Sequence, residues 1–217
     1  MAGGVNLAGA STGDIDSSEP SAAEPEAMKR ATSEDVLNAP ENKVAEILDG
    51  ELFLSPRPAM QHAGAQAAIH GTLWSRFHDG ERGPRGWIVV TEPELHLGTA
   101  IVVPDVAAWR RERLPSLPDR PWLDLAPDWV CEVLSPSTER IDRGRKLRVY
   151  AAAGVQHAWL VKPSDRSLEV LRLREGAWTI VGAWEDSAVV RVEPFEAIEL
   201  ELGRLWADAA PAPPDAG

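Results

Sequence analysis

The sequence predicts an α/β domain with a central mixed β-sheet, a helix on either side, an N-terminal β-hairpin and a C-terminal β extension. Three stretches carry that prediction. Lys43 to Ser55 (KVAEILDGELFLS) is a pair of apolar runs about Asp49-Gly50, the strongest short hairpin signal. Pro127 to Gly154 reads as a buried strand, a Ser/Pro turn and then a helix. Ser167 to Arg174 and Ala177 to Ala183 alternate as strands about a Glu175-Gly176 turn.

The remaining elements follow in chain order. Residues 1–31 are rich in Ala, Gly, Ser, Glu and Pro, with too little apolar surface to offset chain entropy, so they read as a disordered tail. The folded domain is expected over 32–207, with a loose Ala/Pro tail at 208–217. Ser33, Glu34 and Asp35 start a short helix that Pro40 stops. Met60 to His78 is a helix whose Ile69, Leu73 and Phe77 fall on one face. Asp79 to Gly86 is a turn-rich exit. Trp87 to Leu97 reads as one strand, with Val90, Glu92, Glu94 and His96 on one face. Ile101 to Trp109 reads as the next strand, and 110–127 as a loop. Trp129 to Leu134 is the central strand, Arg140 to Ala153 the following helix, and Gly154 its C-terminal stop. Val155 to Lys162 is a further strand. After the meander, short strands are expected at Ala188 to Val192 and Ala197 to Leu202, then a helical turn holding Leu205 and Trp206.

Composition narrows the function. The chain has 217 residues, enough for one domain with a sizeable core. Its single cysteine, Cys131, excludes an intramolecular disulfide and a cysteine-rich zinc site. No apolar run reaches membrane-spanning length and the N-terminus lacks a secretory signal, so a cytoplasmic protein is expected. A net charge of -12 argues against tight, sequence-independent nucleic-acid binding. It says less about an enzyme, where the local field at the site decides.

The chemistry centres on acids set in apolar strands. Glu132 shares its strand face with Val130 and Leu134, where an uncompensated carboxylate costs several kcal/mol. Asp105 stands between Val102, Val103, Pro104 and Val106, Ala107, Ala108. If the two strands are neighbours the carboxylates converge. Two such ligands with a backbone carbonyl and waters suit Mg²⁺, which acidifies bound water and stabilises charge on a phosphate in flight. Asp142, Lys146 and Tyr150 are spaced to share one helix face, so Lys146 can add positive charge there. On these residues alone a structural role stays open, with Asp105 and Glu132 each paired to an arginine such as Arg143 or Arg145.

The order of the motifs adds a resemblance. Pro104-Asp105, then Glu-Val-Leu-Ser-Pro-Ser-Thr from Glu132, Asp142-Arg-Gly-x-Lys146 and Tyr150-Ala-x-x-Gly-Val resembles the Uma-two family of restriction-endonuclease-like proteins, within the PD-(D/E)xK nuclease superfamily. AEILDGELFLSPRP with His62, EPELHLG and HAWLVKP resemble its other blocks, so the likeness covers roughly residues 35 to 206. The resemblance implies a restriction-endonuclease-like core and an endodeoxyribonuclease using Mg²⁺ or Mn²⁺. Asp105, Glu132 and the Val133 backbone carbonyl would hold the metal, with Glu46, Glu94 and His62 as accessory residues. The superfamily's lysine two residues after the acid is Leu134 here, so its counterpart is Lys146 on the next helix. DNA is the implied partner, and symmetric cleavage of a duplex would call for a homodimer.

Other readings attach to particular residues. A non-catalytic nucleic-acid- or protein-binding module on a nuclease scaffold is the alternative, motivated by the acidic charge and the displaced lysine. A phosphohydrolase acting on nucleotides is a third. His62 reads as a capping or surface histidine and Glu92 as solvent-facing. Ser135 and Ser137 read as turn residues and Cys131 as a buried thiol on the face opposite Glu132. Arg140, Arg143, Arg145 and Arg148 form the densest basic run, fit either to follow a phosphate backbone or to solvate a helix.

Overall fold

The computed structural model describes residues 30–79 and 83–207. The two expected tails therefore lie mostly outside the described residues, as do 80–82 in the turn before Trp87. A short helix, α1 (Ser33–Leu37), leads into the hairpin β1 (Lys43–Leu48) and β2 (Glu51–Pro56). Asp49 and Gly50 both take positive φ, 56° and 82°, as a two-residue turn between twisted strands requires. Ala31 donates its N–H to the Gly50 carbonyl at 2.8 Å, which ties the first described residues to this turn.

Helix α2 (Met60–Leu73) buries Ile69 and Leu73 as the periodicity predicts and ends in a π turn, Trp74–His78. Next come β3 (Trp87–Thr91), β4 (Glu94–Leu97), β5 (Ala100–Val102) and β6 (Val106–Arg110). A two-residue strand β7 (Trp122–Leu123) lies within the expected loop, and β8 (Trp129–Val133) is buried along its whole length. The following helical segment is built from α3 (Glu139–Ile141), a π turn (Asp142–Lys146) and α4 (Leu147–Ala152), and Gly154 supplies a φ of +79° just past its end. Strands β9 (His157–Lys162), β10 (Ser167–Arg174) and β11 (Ala177–Glu185) form the C-terminal meander. The short pair β12 (Val189–Val190) and β13 (Leu200–Glu201) precedes a 3₁₀ turn, Leu202–Trp206.

The fold is mixed α/β, as expected, but its β structure is divided. One sheet has the order β2-β1-β5-β4-β7 and the other β11-β10-β9-β8-β6-β3. The pairs β8–β9 and β4–β7 are parallel; the other pairs within these two sheets are antiparallel. Two stretches expected as single strands are each split between the sheets. Trp87 to Leu97 breaks at Glu92, which adopts φ 46°, and at Pro93, which has no amide to donate. Ile101 to Trp109 breaks at Val103 to Asp105, where Pro104 interrupts the ladder. The two breaks face each other: Glu92 N–H donates to the Asp105 carbonyl at 3.0 Å. Asp105 therefore sits at a corner between sheets and not inside a strand.

The larger sheet separates two apolar layers. On one face Trp129, Cys131 and Val133 pack with α2 and the C-terminal segment. Trp87, Trp129 and Trp159 surround Phe195 with ring centroids 4.9, 5.1 and 5.6 Å away. Three of the chain's nine tryptophans are thus core packing around one phenylalanine. On the other face Val130 and Leu134 join Leu147 and Tyr150 of the second helical segment. Glu132 points into this second layer, on the side opposite Cys131 as its parity requires.

Candidate active site

The corner between the sheets, the end of β8 and the π turn at Asp142–Lys146 meet at one cleft of about 310 Å³. Its floor and walls include Glu46, His62, Glu92, Asp105, Asp142 and Lys146. Pro56 to Pro58 form one rim, and Ser135 to Thr138 form another.

Asp105 is held at several points. Its Oδ2 accepts the Val133 N–H at 2.6 Å, and its Oδ1 lies 3.3 Å from His62 Nε2. Its carbonyl accepts from the Gln66 amide at 3.0 Å, and the same amide nitrogen donates to Glu92 Oε1 at 3.2 Å. Gln66 follows His62 by one helical turn, so one face of α2 holds the corner in place. Val133 turns its N–H to this edge of β8, and in an extended strand its carbonyl leaves by the same edge.

Lys146 is the hub of the second half of the site. Its ammonium lies 3.0 Å from Glu132 Oε2, 3.2 Å from Glu46 Oε1 and 3.6 Å from Asp142 Oδ1, and donates to the Val103 carbonyl at 2.9 Å. Glu132 Oε1 accepts from the Tyr150 hydroxyl at 2.5 Å. Glu46 Oε1 also accepts the Val103 N–H at 2.8 Å. The burial cost read from the sequence is therefore met by a lysine and a tyrosine. The arginines considered as partners go elsewhere: Arg143 bonds Glu139 and Glu169, and Arg145 bonds Glu51.

Burial dominates the proton affinities. It pulls Lys146 down, but the surrounding Glu132, Glu46, Tyr150 and Asp142 outweigh it, so the amine stays a firmly held ammonium. Burial pushes Glu132 well above the usual carboxylate range against the pull of Lys146, with Asp142 and Asp105 adding like charge. Asp142 is raised in the same way, by burial first. Burial lowers His62, yet the Asp105 hydrogen bond and the nearby acids reverse the sign and raise it. Glu132 and Asp142 thus hold a proton to higher pH than isolated carboxylic acids would.

The structure brings together Asp105, Glu132, Lys146, Glu46 and His62. It does not bring Glu94 there: that side chain pairs with His96 at 2.7 Å, and His96 stacks on Trp122 with centroids 4.5 Å apart. The split of the long strand puts Glu94 on the other sheet, beyond the corner that Glu92 occupies. His62 is neither a cap nor a surface residue. It lies inside α2 with its side chain 11% exposed. Glu92 is exposed, as expected, but stands on the cleft wall. Gln66 carried no expectation, although a glutamine three residues before Ile69 on the apolar face was a signal that it is buried and bonded. Asp142 and Tyr150 share the Lys146 face at the spacing the sequence shows, and both reach the same cluster.

The family model for Uma2, described as "Putative restriction endonuclease", matches residues 33–204. A solved structure from Anabaena variabilis ATCC 29413, described as a putative nuclease belonging to DUF820, is similar at TM-score 0.66 and 22% identity, over 82% of this chain and 98% of that one. At that identity the likeness shows a shared fold. No curated protein matches the chain.

Proposed function

The chain belongs to the Uma2 family, and on that premise we propose that it is a divalent-metal-dependent endonuclease hydrolysing DNA phosphodiester bonds. One observation carries the reading: Asp105 and Lys146, delivered by a sheet corner and a π turn, line one recessed cleft, and Glu132 of the buried strand lies behind its wall, bonded to Lys146. The donor types, carboxylates and a backbone carbonyl, suit a hard cation, although among the described residues no three His, Cys, Asp or Glu side chains stand ready around one point. Carboxylate oxygens outnumber the cations around the cleft, and Glu132 and Asp142 are pushed up by like charge as well as burial. Asp105, Glu132 and the Val133 carbonyl would hold Mg²⁺ or Mn²⁺. Bound there, such an ion would supply a more acidic water and positive charge against the phosphate.

The protein's own groups have separable tasks. Val133 N–H, His62 and Gln66 fix Asp105 before substrate arrives, so no reorganisation is needed during reaction. Lys146 faces the cleft as a fixed positive charge, able to orient the attacking water or offset charge on the phosphoryl oxygens. Glu46 directly, and Tyr150 through its hydrogen bond to Glu132, set where that ammonium sits.

A second reading, a non-catalytic binding module on the same scaffold, is favoured by one feature. Both Glu132 oxygens already accept hydrogen bonds, from Lys146 and Tyr150, and Glu132 itself is 1% exposed. Plasmid nicking with Mg²⁺ or Mn²⁺ separates the two. The nuclease reading expects cleavage by the wild type and a loss of at least about 100-fold in Asp105→Ala and Glu132→Ala. A metal-binding protein that cuts nothing is the module instead.

A further inference from the structure

We propose that the site takes a single unpaired DNA strand in preference to a duplex; this rests on the nuclease reading above and specifies its substrate. Access to the site favours a single strand. The groups that would meet the phosphate are sunk in the cleft: Asp105 is 16% exposed at its side chain, Asp142 6% and Lys146 4%. The cleft has the volume of a small-molecule pocket, far short of a groove for a duplex. Its two rims, Pro56 to Pro58 and Pro136 with its flanking serines, are stiffened by proline. A duplex is a stiff rod with a persistence length of roughly 150 base pairs. It cannot turn one phosphate inward past such rims, whereas a single strand can rotate its backbone into the recess.

The charge around the cleft favours it as well. Gripping a duplex relies on a row of Lys/Arg contacts to phosphates. The densest basic run does not supply a row, because three of its four members, Arg143, Arg145 and Arg148, are committed to Glu139, Glu169, Glu51 and Asp49. Among the residues lining the cleft, Arg57 is the one arginine, and it stands on the rim. Opposite it, Ser135 lies 3.0 Å from Ser137 and 2.9 Å from Thr138, oxygen to oxygen. These hydroxyls can turn their donors to a phosphate oxygen. Arg57, the hydroxyl turn and Lys146 thus suit a few phosphates of one strand, and cleavage of one strand needs no symmetric second site.

The test compares one fluorescein-labelled sequence as a single strand, as a blunt duplex and as a duplex with an unpaired 3′ flap, each with Mn²⁺ and each repeated with Asp105→Ala. The single strand and the flap are expected to be cut at least about tenfold faster than the blunt duplex, a difference of about 1.4 kcal/mol in barrier. Arg57→Ala and Ser137→Ala are expected to raise KM for the single strand several-fold with little change in kcat. Equal or faster cutting of the blunt duplex overturns the inference and leaves the nuclease reading standing. An unchanged KM in both variants overturns the route assigned to the strand. If none of the three forms is cut, the nuclease reading fails and takes this inference with it.

Discussion

At the scale of the residue, the site is decided by what surrounds one lysine. Lys146 is 3% exposed and compensates Glu132, Glu46 and Asp142 together. Removing it as Lys146→Met leaves buried carboxylates unpaired, a loss of about 3–5 kcal/mol when they are ionised. Glu132 escapes part of this by taking up a proton, so the cost depends on pH. Its folded pKa is already raised above the unfolded value of about 4.3. A raised carboxylate binds more protons folded than unfolded, so stability falls as pH climbs from the unfolded value towards the folded one. Thermal unfolding of Lys146→Met should therefore show a larger Tm loss at pH 8 than at pH 5. Arg145→Ala is the control. It removes a half-exposed pair with Glu51, worth less than about 1 kcal/mol, and no Tm difference between the two variants would deny Lys146 its role.

Elements act by placing these residues, and the terminal turns matter most. The π turn Trp74–His78 brings His78 Nδ1 to the Val89 N–H at 3.0 Å, on the open edge of β3. An unpaired edge donor is thereby covered. Burial, helped by the Arg111 charge, holds His78 below its ordinary value. A lowered histidine binds fewer protons folded than unfolded, so its contribution is present at neutral pH and is lost as pH falls from about 6.5 through the folded value. In urea unfolding the His78 contribution is read as a difference between wild type and variant, because the raised Glu132 and Asp142 slope the wild type the other way. His78→Phe should lose about 1–2 kcal/mol at pH 7, from the orphaned amide, and lose less at pH 5. Equal pH slopes would rule out His78 as the source. The second π turn, Asp142–Lys146, lies within the helical segment that carries Asp142, Lys146 and Tyr150 to Glu132.

For the whole molecule, the C-terminal segment belongs to the core that supports β8. Phe195 is 1% exposed and contacts the rings of Trp87, Trp129, Trp159 and Phe77. Phe195→Ala should cost about 3–5 kcal/mol in urea unfolding, with tryptophan fluorescence and circular dichroism changing together. A cost under about 1 kcal/mol would mean that the C-terminal segment is an independent appendage. Among the described residues no helix is long and apolar enough to cross a membrane.

Local chemistry made most elements legible. Asp49-Gly50 and Glu175-Gly176 mark their hairpins because few other dipeptides tolerate two positive φ angles, and Ile69, Leu73 and Phe77 repeat at a helical period. Asp105 and Glu132 could be singled out because a charge among apolar neighbours must find a partner, and Lys146 because it shares a helix face with Asp142 and Tyr150. Which partner was a matter for the tertiary structure. Alternation along Trp87 to Leu97 looks the same whether the chain stays in one sheet or turns a corner, so the sequence with its family resemblance read Glu94 as an accessory acid of the site and Glu92 as solvent-facing. The left-handed turn at Glu92 and the break at Pro104 sent Glu94 to the other sheet and set Asp105 at the corner. His62 and Gln66 gained their roles only when α2 docked across that corner, through contacts to Asp105 and Glu92 that span 26 or more residues of sequence. Residue type and local pattern determined which groups needed compensation; long-range packing decided which groups supplied it.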